Sequence, residues 1–141
     1  MNKMIGIVLT GHGSFPIGML ESVKLIAGDI KQISVVPFEE DQEVLQKDLR
    51  AAIEEVNTGD GVVCFADLAG GTPFNVSSRL AAEQESVRVI GGTNSPMLLS
   101  SLFQRELDLD AFVQLAIVEG KENIKPFGDK KKETVEAEDG I

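Results

Sequence analysis

Four short apolar runs, MIGIVL (4–9), ISVVPF (33–38), GVVCFA (61–66) and VRVIGG (87–92), are separated by longer amphipathic stretches, and this alternation constrains the fold more than any other feature. The runs are mostly rich in Val and Ile, and three are almost continuously apolar, as in strands covered on both faces. Between the second and third, Leu45, Leu49, Ala52, Ile53 and Val56 fall at i, i+4, i+7, i+8 and i+11, one face of a helix. Leu20, Val23, Ile26 and Ala27 repeat the pattern after the first run, and Gly28 supplies a helix stop. Strand and helix in alternation require right-handed crossovers, which predicts an α/β fold, doubly wound, with a mainly parallel sheet and helices on both faces. The last third is more helical: 95–106 and 110–123 both begin with good capping residues, and NIKPF (123–127) reads as a short edge strand in which Pro126 is tolerable. The segment DKKKETVEAED (129–139) has no apolar periodicity. Residues 1–127 are therefore expected to form one domain and 128–141 a solvated tail.

Composition narrows the function classes. A chain of 141 residues with 13 Lys and Arg against 23 Asp and Glu carries a formal charge of -10, which repels a phosphate backbone and argues against nucleic acid as a partner. The single cysteine, Cys64, lies inside an apolar run, so it is read as core, and no intramolecular disulfide can form. Met4 to Leu9 is too short for a signal segment, and no stretch approaches the ~20 apolar residues of a membrane span. A soluble cytoplasmic domain is the expectation.

The junctions between strands and helices carry the chemical information. Ser14-Phe15-Pro16, Gly70-Gly71-Thr72-Pro73 and Asn94-Ser95-Pro96 each place a hydroxyl residue suited to capping beside a proline suited to the first helical turn. In such sheets every strand-to-helix junction lies at the carboxyl edge. Three helix N-termini, each with unpaired N–H groups and partial positive charge, should therefore favour an anion there despite the acidic whole. Gly11, Gly13, Gly70 and Gly71 let backbone approach a ligand closely, though they serve tight turns equally well.

The only histidine, His12, follows the first strand in TGHGS (10–14), and Asp67 follows the third in CFADLAGGTPFN (64–75). In a sheet of order 2-1-3-4 the ligand crevice lies between the first and third strands, so these side chains should face each other across it. A carboxylate bonded to one imidazole nitrogen fixes the tautomer and frees the other lone pair for attack. The pair therefore reads as a nucleophile and its orienting group.

Several alternatives do not fit. A two-histidine phosphatase needs a second histidine, and a lone imidazole is a poor metal site, which argues against a tetrapyrrole chelatase despite a GHGS-like start. A flavodoxin would need aromatic residues for the flavin, and the chain has no Trp or Tyr. A receiver domain would need an acidic pair where Thr10-Gly11-His12 stands.

Through IGIVLTGHG (5–13), DLAGGTPFN (67–75) and VIGGTNSPML (89–98), residues 1 to about 127 resemble the enzyme IIA domains of the mannose class of the bacterial phosphoenolpyruvate-dependent sugar phosphotransferase system. The resemblance implies that His12 takes a phosphoryl group from the carrier protein HPr and passes it to a IIB component, serving a membrane IIC/IID complex indirectly, with Asp67 as its hydrogen-bonding partner. It also implies a homodimer in which a C-terminal strand, here 123–127, crosses to the partner's sheet. Because the chain stops at Ile141, IIB is expected as a separate polypeptide.

Phosphoryl transfer needs positioning and charge stabilisation more than covalent machinery. Gly71, Thr72 and Ser14 are the expected phosphate-binding residues, with no metal or other cofactor. Phe15, Leu68, Phe74 and Met97 flank the motifs and serve either as an apolar docking rim or as core. Two related readings use the same histidine: a regulatory phosphohistidine module and the phosphotransfer subunit of dihydroxyacetone kinases.

Overall fold

A computed structural model describes residues 3–128, so most of the expected tail, 129–141, lies outside the described residues. The chain runs β1 (Gly6–His12), α1 (Phe15–Ala27), β2 (Ile33–Phe38), α2 (Gln42–Val56), β3 (Val62–Phe65), α3 (Thr72–Ala82), β4 (Val87–Ile90), α4 (Ser95–Leu102) and α5 (Leu109–Glu122). The four strands form one parallel sheet in the order β2-β1-β3-β4, as the alternation requires.

Alternate residues of each strand feed opposite faces, so the sheet separates two cores. On one face Val8, Val62 and Cys64 pack against Leu45, Leu49 and Ile53 of α2 and Val76 and Leu80 of α3. On the other, Ile7, Leu9, Val63 and Phe65 meet Val23 of α1, Leu98 of α4 and Phe112 of α5. The rings of Phe65 and Phe112 touch edge to face with centroids 6.4 Å apart. Each fully buried Leu, Ile or Phe contributes roughly 1.5–3 kcal/mol to this arrangement. Cys64 is buried and free, and burial pushes its thiol up to about 12. It is core, as its apolar neighbours indicated.

Three expectations change. The first strand does not stop at Leu9: Thr10, Gly11 and His12 go on pairing with Val36, Pro37 and Phe38 of β2, whereas β3 accompanies β1 only as far as Leu9. Beyond the end of β3, β1 therefore runs on with one flank uncovered. The helix expected over 95–106 ends at Leu102, because the following turn swings Arg105 under the amino edge of the sheet. There its guanidinium donates to the carbonyls of Ile5, Lys31 and Gln32. Residues 123–127 form no strand in the single chain; Ile124 and Phe127 are exposed, and Pro126 brings no N–H to a ladder.

A candidate phosphoacceptor site at the carboxyl edge

His12 is the last residue of β1, held at the carboxyl edge by its register with Phe38 and by the Gly13 N–H, which donates to the Phe38 carbonyl at 2.8 Å. Two residues earlier, the buried Thr10 hydroxyl donates to the Val36 carbonyl at 2.7 Å. The end of β1 is thus fastened on the β2 side. On its open side stands the loop that follows β3, with Asp67 facing His12.

The Asp67 carboxylate is the centre of the site. Its Oδ2 accepts both the His12 backbone N–H and the His12 ring at Nδ1, each at 2.9 Å, while Oδ1 accepts the Leu68 N–H at 2.9 Å. Burial alone would raise the Asp67 pKa. The hydrogen bonds from the His12 N–H, the His12 ring and the Leu68 N–H, with the His12 charge, outweigh that and hold it below the ordinary 3.8. An ionised carboxylate can only accept, so Nδ1 carries the proton and the Nε2 lone pair is free in the neutral ring. The Asp67 side chain is 12% exposed and that of His12 46%, which leaves the aiming group covered and the aimed ring open.

Close backbone approach makes this geometry fit. A Cβ at Gly11 would stand 3.0 Å from Asp67 Cγ, and one at Gly71 would stand 3.1 Å from His12 Cε1. The sequence brought His12, Asp67, Gly71 and Thr72 to one place, but it missed Phe38. That ring meets the imidazole edge to face, with centroids 5.9 Å apart. The available signal was equal strand offset: parallel β1 and β2 place their last residues side by side.

The capping scheme is corrected. Ser14 occupies the N-cap of α1 without a side-chain capping bond, Gly71 rather than Thr72 is the N-cap of α3, and Asn94 rather than Ser95 caps α4 through the Met97 N–H. In α3 and α4 alike the cap and the helix start therefore lie one residue earlier than a hydroxyl-capped reading gives, and the proline falls inside the first turn. Thr72 consequently begins α3, with its N–H and that of Phe74 lacking intrahelical acceptors, while the Gly71 N–H is turned to the Leu68 carbonyl at 3.3 Å. Of the candidate rim, Leu68 is exposed, Phe15 and Phe74 are half-buried, and Met97 belongs to the core.

A family model described as "PTS system fructose IIA component", of the EIIA-man type, matches residues 6–117. The chain belongs to this mannose-class EIIA family of the phosphotransferase system. The fructose-specific EIIA component of Bacillus subtilis (strain 168) is 33% identical over 105 residues, 73% of this chain and 72% of that relative. The mannose-specific EIIAB component of Escherichia coli (strain K12) is 32% identical over 133 residues, 92% of this chain but only 41% of that longer relative. Among solved structures, a phosphotransferase system EIIA component from Streptococcus agalactiae superposes with a TM-score of 0.80 at 33% identity, covering 88% of this chain and 98% of the other. EIIA components of this class are phosphotransferase components of sugar transport. Among the described residues no helix is long and apolar enough to cross a membrane.

Proposed function

We propose that this EIIA chain is a cytoplasmic phosphoryl carrier, accepting phosphate on His12 from phospho-HPr and handing it to a IIB component. The observation that carries the reading is the bond between Asp67 Oδ2 and His12 Nδ1, which leaves Nε2 as the exposed nucleophile. Nε2 attacks phosphorus in line while the phosphorus–nitrogen bond of the donor phosphohistidine breaks, and that electron pair returns to the donor imidazole. His12 keeps its Nδ1 proton, so the phosphorylated ring is cationic and the adjacent carboxylate stabilises it. Transfer to IIB reverses these steps on a new acceptor. The N–H groups of Thr72 and Phe74, the Thr72 hydroxyl and Ser14 are suited to bind phosphoryl oxygens at the starts of α3 and α1. Exposed Leu68 and half-buried Phe15 and Phe74 supply an apolar rim on which HPr and IIB can dock in turn. The relay never touches the sugar, so sugar choice belongs to the downstream IIB and IIC/IID components.

A homodimer is part of the proposal. The outer edge of β4 is unpaired among the described residues, and a groove of about 410 Å³ beside it is lined by Val89, Ile90, Ile117 and Ile124 among others. An extended 123–127 segment from a second copy would cover both the edge and the groove.

The test is incubation with phosphoenolpyruvate, enzyme I and HPr, followed by intact-mass measurement. Wild type gains one acid-labile phosphoryl group and His12→Ala gains none while remaining folded. An equally phosphorylated His12→Ala protein overturns the assignment.

A further inference from the structure

The turn after β4, Gly91-Gly92-Thr93-Asn94, contributes no residue to the His12–Asp67 pair, yet it is built against the backbone from which Asp67 projects. Thr93 is buried, and both of its donors converge on one carbonyl: the Oγ1 hydroxyl reaches the Ala66 oxygen at 2.8 Å and the Thr93 N–H reaches it at 3.2 Å. The other side of that residue is fastened too, since the Ala66 N–H donates to the Ile90 carbonyl at 2.8 Å. Ala66 immediately precedes Asp67, so its carbonyl belongs to the peptide unit that carries the Asp67 nitrogen. Gly91 closes the same contact from below: a Cβ there would lie 2.6 Å from Ala69 Cα, so only glycine lets the turn sit this close. Asn94 in turn anchors the turn to the helices, accepting the Met97 N–H and donating to the Gly120 carbonyl at 3.1 Å.

We propose that Thr93 is a positioning residue for phosphoryl transfer, its hydroxyl fixing the Ala66 peptide so that the Asp67 carboxylate meets His12 Nδ1. Asp67 accepts three N–H groups, two set by the end of β1 and one by the loop after β3, so a small rotation at the Ala66–Asp67 peptide trades one of those bonds against another. The Thr93 hydroxyl, deep in the molecule and out of reach of any phosphate, sets that rotation. This inference rests on the phosphocarrier reading for its rate consequence, but not for its effect on the ring.

The lone histidine makes the test selective, because every imidazole signal in a long-range nitrogen–proton NMR spectrum belongs to His12. Thr93→Val keeps the side-chain shape and removes the hydroxyl; Thr93→Ser keeps the hydroxyl. The expected result is a neutral ring held as the Nδ1–H tautomer in wild type and Thr93→Ser, and a mixture of tautomers in Thr93→Val. Loss of one neutral hydrogen bond translates into phosphate acceptance from phospho-HPr slower by about three- to tenfold in the valine variant, with near-wild-type rate in the serine variant. Thr93→Ala removes the same hydroxyl without adding a methyl and takes the place of the valine variant if that one does not fold. A folded, hydroxyl-free variant with the wild-type tautomer and rate overturns the proposal, as does a serine variant that behaves like valine. A wild-type protein that refuses phosphate, with the valine ring still shifted, overturns the carrier reading and leaves the positioning role standing.

Discussion

The two edges of the sheet each hold one nitrogen-rich side chain, and they treat it in opposite ways. At the amino edge Arg105 is 6% exposed, and its guanidinium is bound to the carbonyls of Ile5, Lys31 and Gln32, with distances of 2.9 Å to Ile5 and 2.7 Å to Gln32. At the carboxyl edge the His12 ring is hydrogen-bonded at Nδ1 alone, and its side chain is about half open to solvent. Burial with donors satisfied makes a charge into a structural pin. Satisfaction on one side only leaves a side chain aimed and still reactive. Burial lowers the Arg105 pKa to about 10, still far enough above neutral pH that the side chain stays charged and serves all three carbonyls.

The comparison breaks first at the pin. Arg105→Met removes the guanidinium from three backbone carbonyls at the starts of β1 and β2, of which only that of Gln32 keeps a second donor among the described residues, the Ile7 N–H, and should cost about 3 kcal/mol in denaturant unfolding. The folded fraction should still accept phosphate at the wild-type rate. A stable Arg105→Met protein, or a folded one with a dead His12, would show that the two edges do not divide the work in this way.

Removing the aiming group comes next. Asp67→Ala should slow phosphate acceptance about 10- to 100-fold without preventing it, because the nucleophile survives while its orientation is lost. It should also remove about 1 kcal/mol of stability at neutral pH, as two backbone N–H groups lose their acceptor. The Asp67 pKa is depressed in the folded chain, so this contribution is complete above the ordinary value of 3.8 and is lost as pH falls through the lower folded value. The stability gap between wild type and Asp67→Ala should therefore narrow only in that acidic window, as pH-dependent unfolding would reveal.

The smallest effect is expected at Thr72. Because Gly71 and not Thr72 caps α3, Thr72→Ala should change stability by less than about 0.5 kcal/mol. Loss of one hydroxyl contact to the phosphoryl group should slow transfer about two- to fivefold. A loss near 1 kcal/mol in thermal unfolding would return the capping role to its hydroxyl.

Periodicity made the architecture legible because the central strands β1 and β3 are buried on both faces. Ile7, Val8, Leu9, Val62, Val63 and Cys64 are all buried, as a parallel sheet with helices on both faces provides. The meeting of His12 and Asp67 followed from the sheet edge and the strand order. The length of β1 did not, because Thr10 and Gly11 have no apolar signature and extend the strand only through pairing with Val36 and Pro37. The caps of α3 and α4 were misplaced because Thr72 and Ser95 compete with neighbours that differ little in propensity, and backbone geometry decides between them. Arg105 was invisible for a further reason: its three partners are carbonyls, which every residue carries. Residues 123–127 form no strand among the described residues, and the apolar Ile124 and Phe127 that suggested one are exposed.

The central claim is that Asp67 holds one ring nitrogen so that the other does the chemistry. Its most direct test is nitrogen and phosphorus NMR of the protein after exposure to phospho-HPr, where the only histidine yields one ring pattern. Phosphate on Nε2, with Nδ1 still protonated beside Asp67, is the predicted result. Phosphate on Nδ1, or none on the ring at all, would contradict it.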